Sequence, residues 1–322
     1  MKPTKSPFTK LIFLLTTLVL CFGILSCKSD KKEDTDETQT MADTEKEAVI
    51  EIITEAMEFQ MQDTIPAGWN SFHYKNQSPQ THFFLIEKYP DGKTLEDALK
   101  EVVPVFTEGM DLINKGQFDE SMAAFGKLPE WYGEVQFMGG SGLLSPERTS
   151  ENTLKLDPGY YLMECYVKMP NGVFHTSMGM IRDFVVSDED SGIAEPEATI
   201  ALEVSGAEGI VVNDSITAGT HTFSVFFKDQ KVHENFVGHD VNLARLEEGD
   251  NFDILEQWMD WSSPEGLIEP APDGFTFLGG VNDMPQGGIG YFTATLEPGN
   301  YVLIAEVPNT REKNMLKKVV VH

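Results

Sequence analysis

The chain has 322 residues, with 52 acidic against 24 basic side chains and a formal net charge of −28. A field of that sign repels phosphate backbones and argues against a nucleic-acid partner. It leaves cations, basic partners and plain solubility as its uses.

In chain order, Lys2, Lys5 and Lys10 come first without an acid, and an apolar run from Leu11 to Leu25 follows. The run is shorter than the ~20 residues a membrane-spanning helix needs, so residues 1–26 read as a signal peptide. Residues 27–48 hold eight acids and no aromatic ring. They are expected to be a disordered acidic tether with a reach of roughly 25 Å. Ile24-Leu25-Ser26-Cys27 resembles the bacterial lipoprotein box. That resemblance implies that Cys27 takes lipid, becomes the new N-terminus and anchors the protein to a membrane of the bacterial envelope. The outer membrane is the expected site, on its periplasmic or cell-surface face. Lys32-Glu33-Asp34 resembles the surface-export signal of Bacteroidota lipoproteins, with a plain solvated linker as the other reading. Removing residues 1–26 takes three lysines and no acid, so the mature chain carries 21 basic and 52 acidic residues, net −31.

The remaining ~275 residues suit two domains, and the chain repeats itself. Ile65-Pro-Ala-Gly68 opens a strand pattern through Phe72 and Tyr74, then a polar turn, then His82. Ile216-Thr-Ala-Gly219 opens another through Phe223, Val225 and Phe227, then a polar turn, then His233. Gly139-Gly140 precedes Leu156-Asp-Pro-Gly159, as Gly279-Gly280 precedes Leu296-Glu-Pro-Gly299. The Pro-Gly pairs mark turns, and the alternation after them marks half-buried strands. Two tandem β-domains are expected, residues 49–187 and 198–322, with a polar linker at 188–197. The acids of that linker lack the spacing of a calcium loop.

Each copy has a helical interruption. The first falls at about residues 94–127. Thr94 offers a cap with Asp97 three residues on, and Leu95, Leu99, Val102 and Phe106 fall at helical spacing. Pro104 should kink or end that helix. A second helix is expected from Phe118 to Phe125. Residues 114–125 look like half of a tetratricopeptide repeat, but one hairpin makes no array, and a lid over the sandwich is the expectation. In the second copy Phe252, Leu255, Trp258 and Met259 give a shorter helix with its stripe in the core.

Cys21 leaves with the signal peptide and Cys27 is consumed by lipid, so Cys165 stands alone in an oxidising compartment. Such a cysteine is buried and inert, a ligand, or reactive. Strand alternation puts Tyr161, Met163 and Cys165 on one face. His175, Met178 and Met180 follow, and Asn76 with His82 six residues later lies upstream. Together with the Pro-Gly-x-Tyr turn, these residues resemble cupredoxins, the plastocyanin and azurin superfamily of Greek-key β-sandwiches. The resemblance spans most of residues 50–186 and, more weakly, 198–322. It implies a mainly β fold of two tandem cupredoxin-like sandwiches, each with a small helical insertion. It also implies one copper held by His82, Cys165, His175 and Met180, with Met178 as the alternative axial ligand. A soft thiolate suits Cu(I), imidazoles suit either oxidation state, and a distant thioether raises the potential. A low-pKa Cys165 belongs to that expectation.

In the second copy Ala305 aligns with Cys165, and residues 309–315 replace the His-Met loop, so that half is expected to be metal-free. His73 and His221 are expected at solvent, while His233 and His239 offer a zinc pair without a third ligand. No His-x-His pair, Gly-x-Ser-x-Gly, His-Glu-x-x-His or phosphate loop occurs. No catalytic residue is named, and an enzyme is not the expectation. Two functions stay open. One is an envelope-anchored lipoprotein binding copper in its first domain for electron transfer or copper handling, with a redox or envelope protein partner. The other is a metal-free binding module in which Cys165 is structural.

Overall fold

A computed structural model describes residues 49–212, 215–247 and 251–322. The signal peptide, Cys27 and the tether lie outside the described residues. Residues 46–322 form one unit, and it is mainly β, as the sequence implies.

The first half contributes β1 (Ile50–Thr54), β2 (Thr64–Asn76), β3 (Leu85–Lys88), β4 (Gln136–Gly140), β5 (Arg148–Leu156), β6 (Gly159–Glu164) and β7 (Ile181–Asp190). Strands β4-β3-β6-β7 form one layer, and β1, β2 and β5 form the other. Strand β2 belongs to both. Thr64 and Ile65 pair with β7, and from Gly68 onward the strand pairs with β5. Gly68 permits the crossing with φ +95, where a Cβ would also press to 3.2 Å from Asp190 and Ser191. Alternation along β5 buries Ser150, Asn152, Leu154 and Leu156 and turns Glu151 and Lys155 outward.

The second half repeats the plan with β8 (Ile200–Ser205), β9 (Gly209–Val212), β10 (Gly219–Phe227), β11 (Val241–Leu246), β12 (Phe275–Val281), β13 (Ile289–Leu296), β14 (Gly299–Ile304) and β15 (Leu316–Val321). One layer is β12-β11-β14-β15, and the other holds β13, β10, β8 and β9. The double-glycine motif has a steric reason in both copies. A Cβ on Gly140 would lie 1.9 Å from Phe84 O, and one on Gly280 would lie 1.9 Å from Val241 O. The tyrosine after each Pro-Gly turn acts alike as well: Tyr161 donates to Asp157 O at 2.7 Å and Tyr301 to Glu297 O at 2.9 Å.

The halves are joined by hydrogen bonds. Strands β5 and β13 pair antiparallel, Asn152 opposite Phe292. Asn152 donates to Gly280 O at 2.6 Å, and Asn242 accepts from Leu143 N–H at 2.7 Å. The linker is pinned too, with Ser191 N–H on Ala67 O at 2.8 Å and Tyr291 OH on Glu195 at 2.5 Å. Buried residues of both halves form one continuous core.

The insert runs through α1 (Leu95–Asp97), a π turn (Ala98–Val102), α2 (Val103–Asn114) and α3 (Phe118–Phe125). Thr94 and Asp97 cap it as expected. Pro104 does not end the helix. It sits in the first turn of α2, where a missing N–H costs little. The wider turn before it, closed by Val103 N–H to Ala98 O, makes room for the ring. Leu99, placed on the apolar stripe by its spacing, is 47% exposed. Gly109 lets α3 close on α2, because its missing Cβ would lie 2.3 Å from the Phe125 ring. Phe106 packs tilted and Phe125 edge-on against Trp261, which ties the insert to the second half. There, α4 (Phe252–Trp258) buries Phe252, Leu255, Trp258 and Met259.

Candidate metal centre

Strand β6 divides its side chains between two environments. Tyr161 and Met163 enter the main core with Cys165, while Leu162 packs under the insert with Tyr89 and Ala98. Beyond the strand the chain folds back on itself. Cys165 N–H donates to Met180 O at 3.2 Å, Met180 N–H to His175 O at 2.9 Å, and His175 N–H to Val167 O at 2.8 Å. These bonds carry His175 and Met180 back toward the end of β6. His82 arrives from the other side and exchanges backbone hydrogen bonds with Leu144, at 3.2 and 2.7 Å. Asn76 fixes that approach by donating to Gln80 O at 2.7 Å and Leu144 O at 2.9 Å.

The result is a triangle of donor atoms. Cys165 Sγ lies 3.7 Å from His82 Nδ1 and 3.8 Å from His175 Nδ1, and the two nitrogens are 3.2 Å apart. Imidazoles bind zinc-like ions at about 2.0 Å and thiolates at about 2.3 Å. Three such donors in a trigonal plane stand about 3.5 Å apart N to N and about 3.7 Å N to S. The triangle comes within about 0.3 Å of those dimensions on every edge, so the residues fit a single copper-sized ion. Among the described residues it is the one group of three His, Cys, Asp or Glu close enough to share a metal.

Of the residues implied by the sequence, His82, Cys165, His175 and Met180 are all fully buried. Met178 is 54% exposed and points away from the core as an axial candidate. Burial and the neighbouring His175 hold His82 down to about 3, and burial holds His175 down to about 4. Both rings are therefore neutral and ready to ligate. Burial pushes Cys165 up to about 12, and the nearby carboxyls of Glu164 and Glu269 push the same way. The proton must leave as the metal enters, and the thiol is inert until then.

No family model matches the chain, and no curated protein does. Solved structures with partial overlap include reduced auracyanin from Roseiflexus castenholzii, at 23% identity over 43% of this chain and 96% of that one, with a TM-score of 0.27. Auracyanin A from Chloroflexus aurantiacus, described as a "blue" copper protein, gives 20% identity, 43% and 98% coverage and a TM-score of 0.26. The copper nitrite reductase of Thermus scotoductus SA-01 gives 11% identity over 85% of this chain and 61% of that one, with a TM-score of 0.22. Overlaps this loose carry no argument about chemistry.

The second half preserves the frame and loses the donors. Leu85 pairs with Glu164 as Asn242 pairs with Ile304, so the counterpart of His82 is His239 and that of Cys165 is Ala305. The sequence repeat matched His233 to His82. A loop six residues longer after β10 displaced that match. Ala305 N–H donates to Met315 O and Met315 N–H to Thr310 O, which places Thr310 and Met315 where His175 and Met180 stand. His233 and His239 are buried with ring centroids 5.1 Å apart, but among the described residues no third donor joins them. His73 and His221 are only partly exposed. The sequence missed Glu87 and Glu164, on the face of β3 and β6 opposite the thiol. Period-two alternation was the signal for that face, but nothing local said the insert would cover it.

Proposed function

We propose that the protein is an envelope-anchored copper protein that binds one ion at His82, Cys165 and His175, with Met180 as the axial group, and moves single electrons. The observation that carries this reading is the triangle with edges of 3.2, 3.7 and 3.8 Å. Bound copper supplies one-electron redox chemistry there. The chain's own residues supply two neutral imidazoles, a thiol that ionises on binding, and a sealed shell. With all four side chains at 0% exposure, no substrate reaches the ion, which favours outer-sphere electron transfer or copper handling over catalysis at the metal. A β-sandwich frame resists movement of the donors between oxidation states. Attachment follows from lipid on Cys27, with an envelope redox protein as the partner class.

The test is loading of the mature chain with Cu(II). One equivalent is expected per chain, lost in Cys165→Ala and His82→Ala, with a reversible one-electron wave by voltammetry. Uptake unaffected by either substitution would reject the site. Cys27→Ser should release the protein from the membrane fraction. The metal-free module remains the second reading, favoured by the place of Cys165 within the continuous hydrophobic core. On that reading copper leaves the melting temperature unchanged.

A further inference from the structure

A cavity of about 370 Å³ lies between the insert, the outer face of β3 and β6, and the second half of the chain. That volume is at the small end of the ~300–1,000 Å³ range of ligand sites. Its walls are mainly apolar and aromatic, from Phe106, Tyr132, Phe174 and Trp261. Two carboxyls, Glu87 and Glu164, meet at its inner end. They face the same way because Leu85 and Glu87 alternate with Ile86 on β3, opposite Glu164 and Leu162 on β6. Glu87 is 2% exposed. Thr176 donates to Cys165 O at 2.9 Å and lies 3.1 Å from Glu164 Oε2, so the cavity adjoins the candidate metal centre. Gly133 and Val232, the latter 66% exposed, form a rim open to solvent.

The charge pattern is lopsided. No lysine, arginine or histidine lines the cavity, while Glu87 and Glu164 do; a third acid, Asp283, is already held by Gly238 N–H at 2.7 Å and the Gln230 amide at 2.8 Å. Glu87 and Glu164 hydrogen-bond each other, with Tyr89 on Glu87 and Thr176 on Glu164, and no base joins them; an ammonium supplies both charge and three donors. Aromatic faces favour a cation further, and the protein's net negative field concentrates cations at the rim.

We propose that this cavity binds a small organic cation, a primary amine on an aromatic or apolar body, with its ammonium against Glu87 and Glu164. The body fills the space between Phe106, Tyr132, Phe174 and Trp261. The binding needs no metal, so it stands apart from the copper reading.

The experiment uses the metal-free mature chain, titrated with 2-phenylethylamine, 2-phenylethanol and 3-phenylpropanoate by calorimetry and tryptophan fluorescence. The amine should bind one to one, at least about tenfold tighter than the alcohol. The carboxylate should be weakest. Glu87→Gln should weaken the amine by about tenfold or more and leave the alcohol unchanged. Equal affinities, a preference for the carboxylate, or no saturable binding by any of the three would overturn the proposal. If Glu87→Gln fails to fold, the ranking of the three ligands on the unaltered chain decides it.

Discussion

Asn76→Ala separates the loop that positions His82 from the ligand itself. Asn76 is 1% exposed and ends β2. Its amide donates to Gln80 O, Leu144 O and Ser145 O at 2.7, 2.9 and 3.3 Å. Its oxygen accepts from Ser78 N–H at 3.1 Å and Ser78 Oγ at 2.9 Å. Alanine removes all of these and leaves buried carbonyls behind. A neutral hydrogen bond is worth about 0.5–1.5 kcal/mol, and a stranded buried group costs about 1–3 kcal/mol. Water re-entering at the loop's outer side offsets part of this, so the expected loss is about 2–4 kcal/mol. For a unit of this size that lowers the melting temperature by about 4–8 °C. The same change frees His82 and should weaken copper about ten- to hundredfold. Asn76→Asp should be at least as damaging, because it sets a carboxylate against three carbonyl oxygens. Thermal melts of the metal-free protein and a copper titration give both numbers. A shift under about 2 °C with unchanged copper affinity would refute the reasoning.

Gly140→Ala and Gly280→Ala should each cost about 3 kcal/mol or more in urea unfolding, since each Cβ meets a strand carbonyl at 1.9 Å. Gly179→Ala, at φ +108 with nothing within 4 Å, should cost only about 1–2 kcal/mol; similar losses at all three would contradict the close-approach account. Met180→Leu should keep the fold within about 1.5 kcal/mol yet shift the spectrum and potential of the copper form, whereas Met178→Leu should change neither. On pH, burial raises Asp240 and Glu269 to about 7 and Asp283 to about 8, and it raises Glu306 as well. The folded state then keeps protons that the unfolded state has lost, so stability falls as pH rises toward those values. The buried histidines, lowered when folded, act oppositely but only below about pH 6.5, and Lys168, held down to about 8, acts above that. Between pH 6.5 and 8 the metal-free melting temperature should therefore drop, with a shallower slope in Asp283→Asn; a rise across that window would contradict the assignment.

Local patterns carried much of this fold. Alternation along residues 159–165 put Tyr161, Met163 and Cys165 on one face, and they share the main core; α3 lies at Phe118–Phe125 as its spacing implies. Where the outcome depended on distant chain, the sequence misled. Pro104 reads as a kink or a stop, and only the π turn before it shows that the helix passes it. The His233 match failed because one loop is six residues longer in the second copy. Lys168 is fully buried where a lysine is ordinarily exposed, donating to Trp261 O at 3.0 Å and Ser263 O at 2.7 Å. Those carbonyls come from a loop almost a hundred positions away. Likewise Glu87 is buried only because the insert folds over its strand, and no window around Glu87 encodes that.

The most direct measurement is the visible spectrum of the mature chain loaded with Cu(II). Coordination by Cys165 predicts an intense thiolate-to-copper charge-transfer band that vanishes in Cys165→Ala while the fold persists. Copper bound without that band, or a band that survives the substitution, would contradict the central claim.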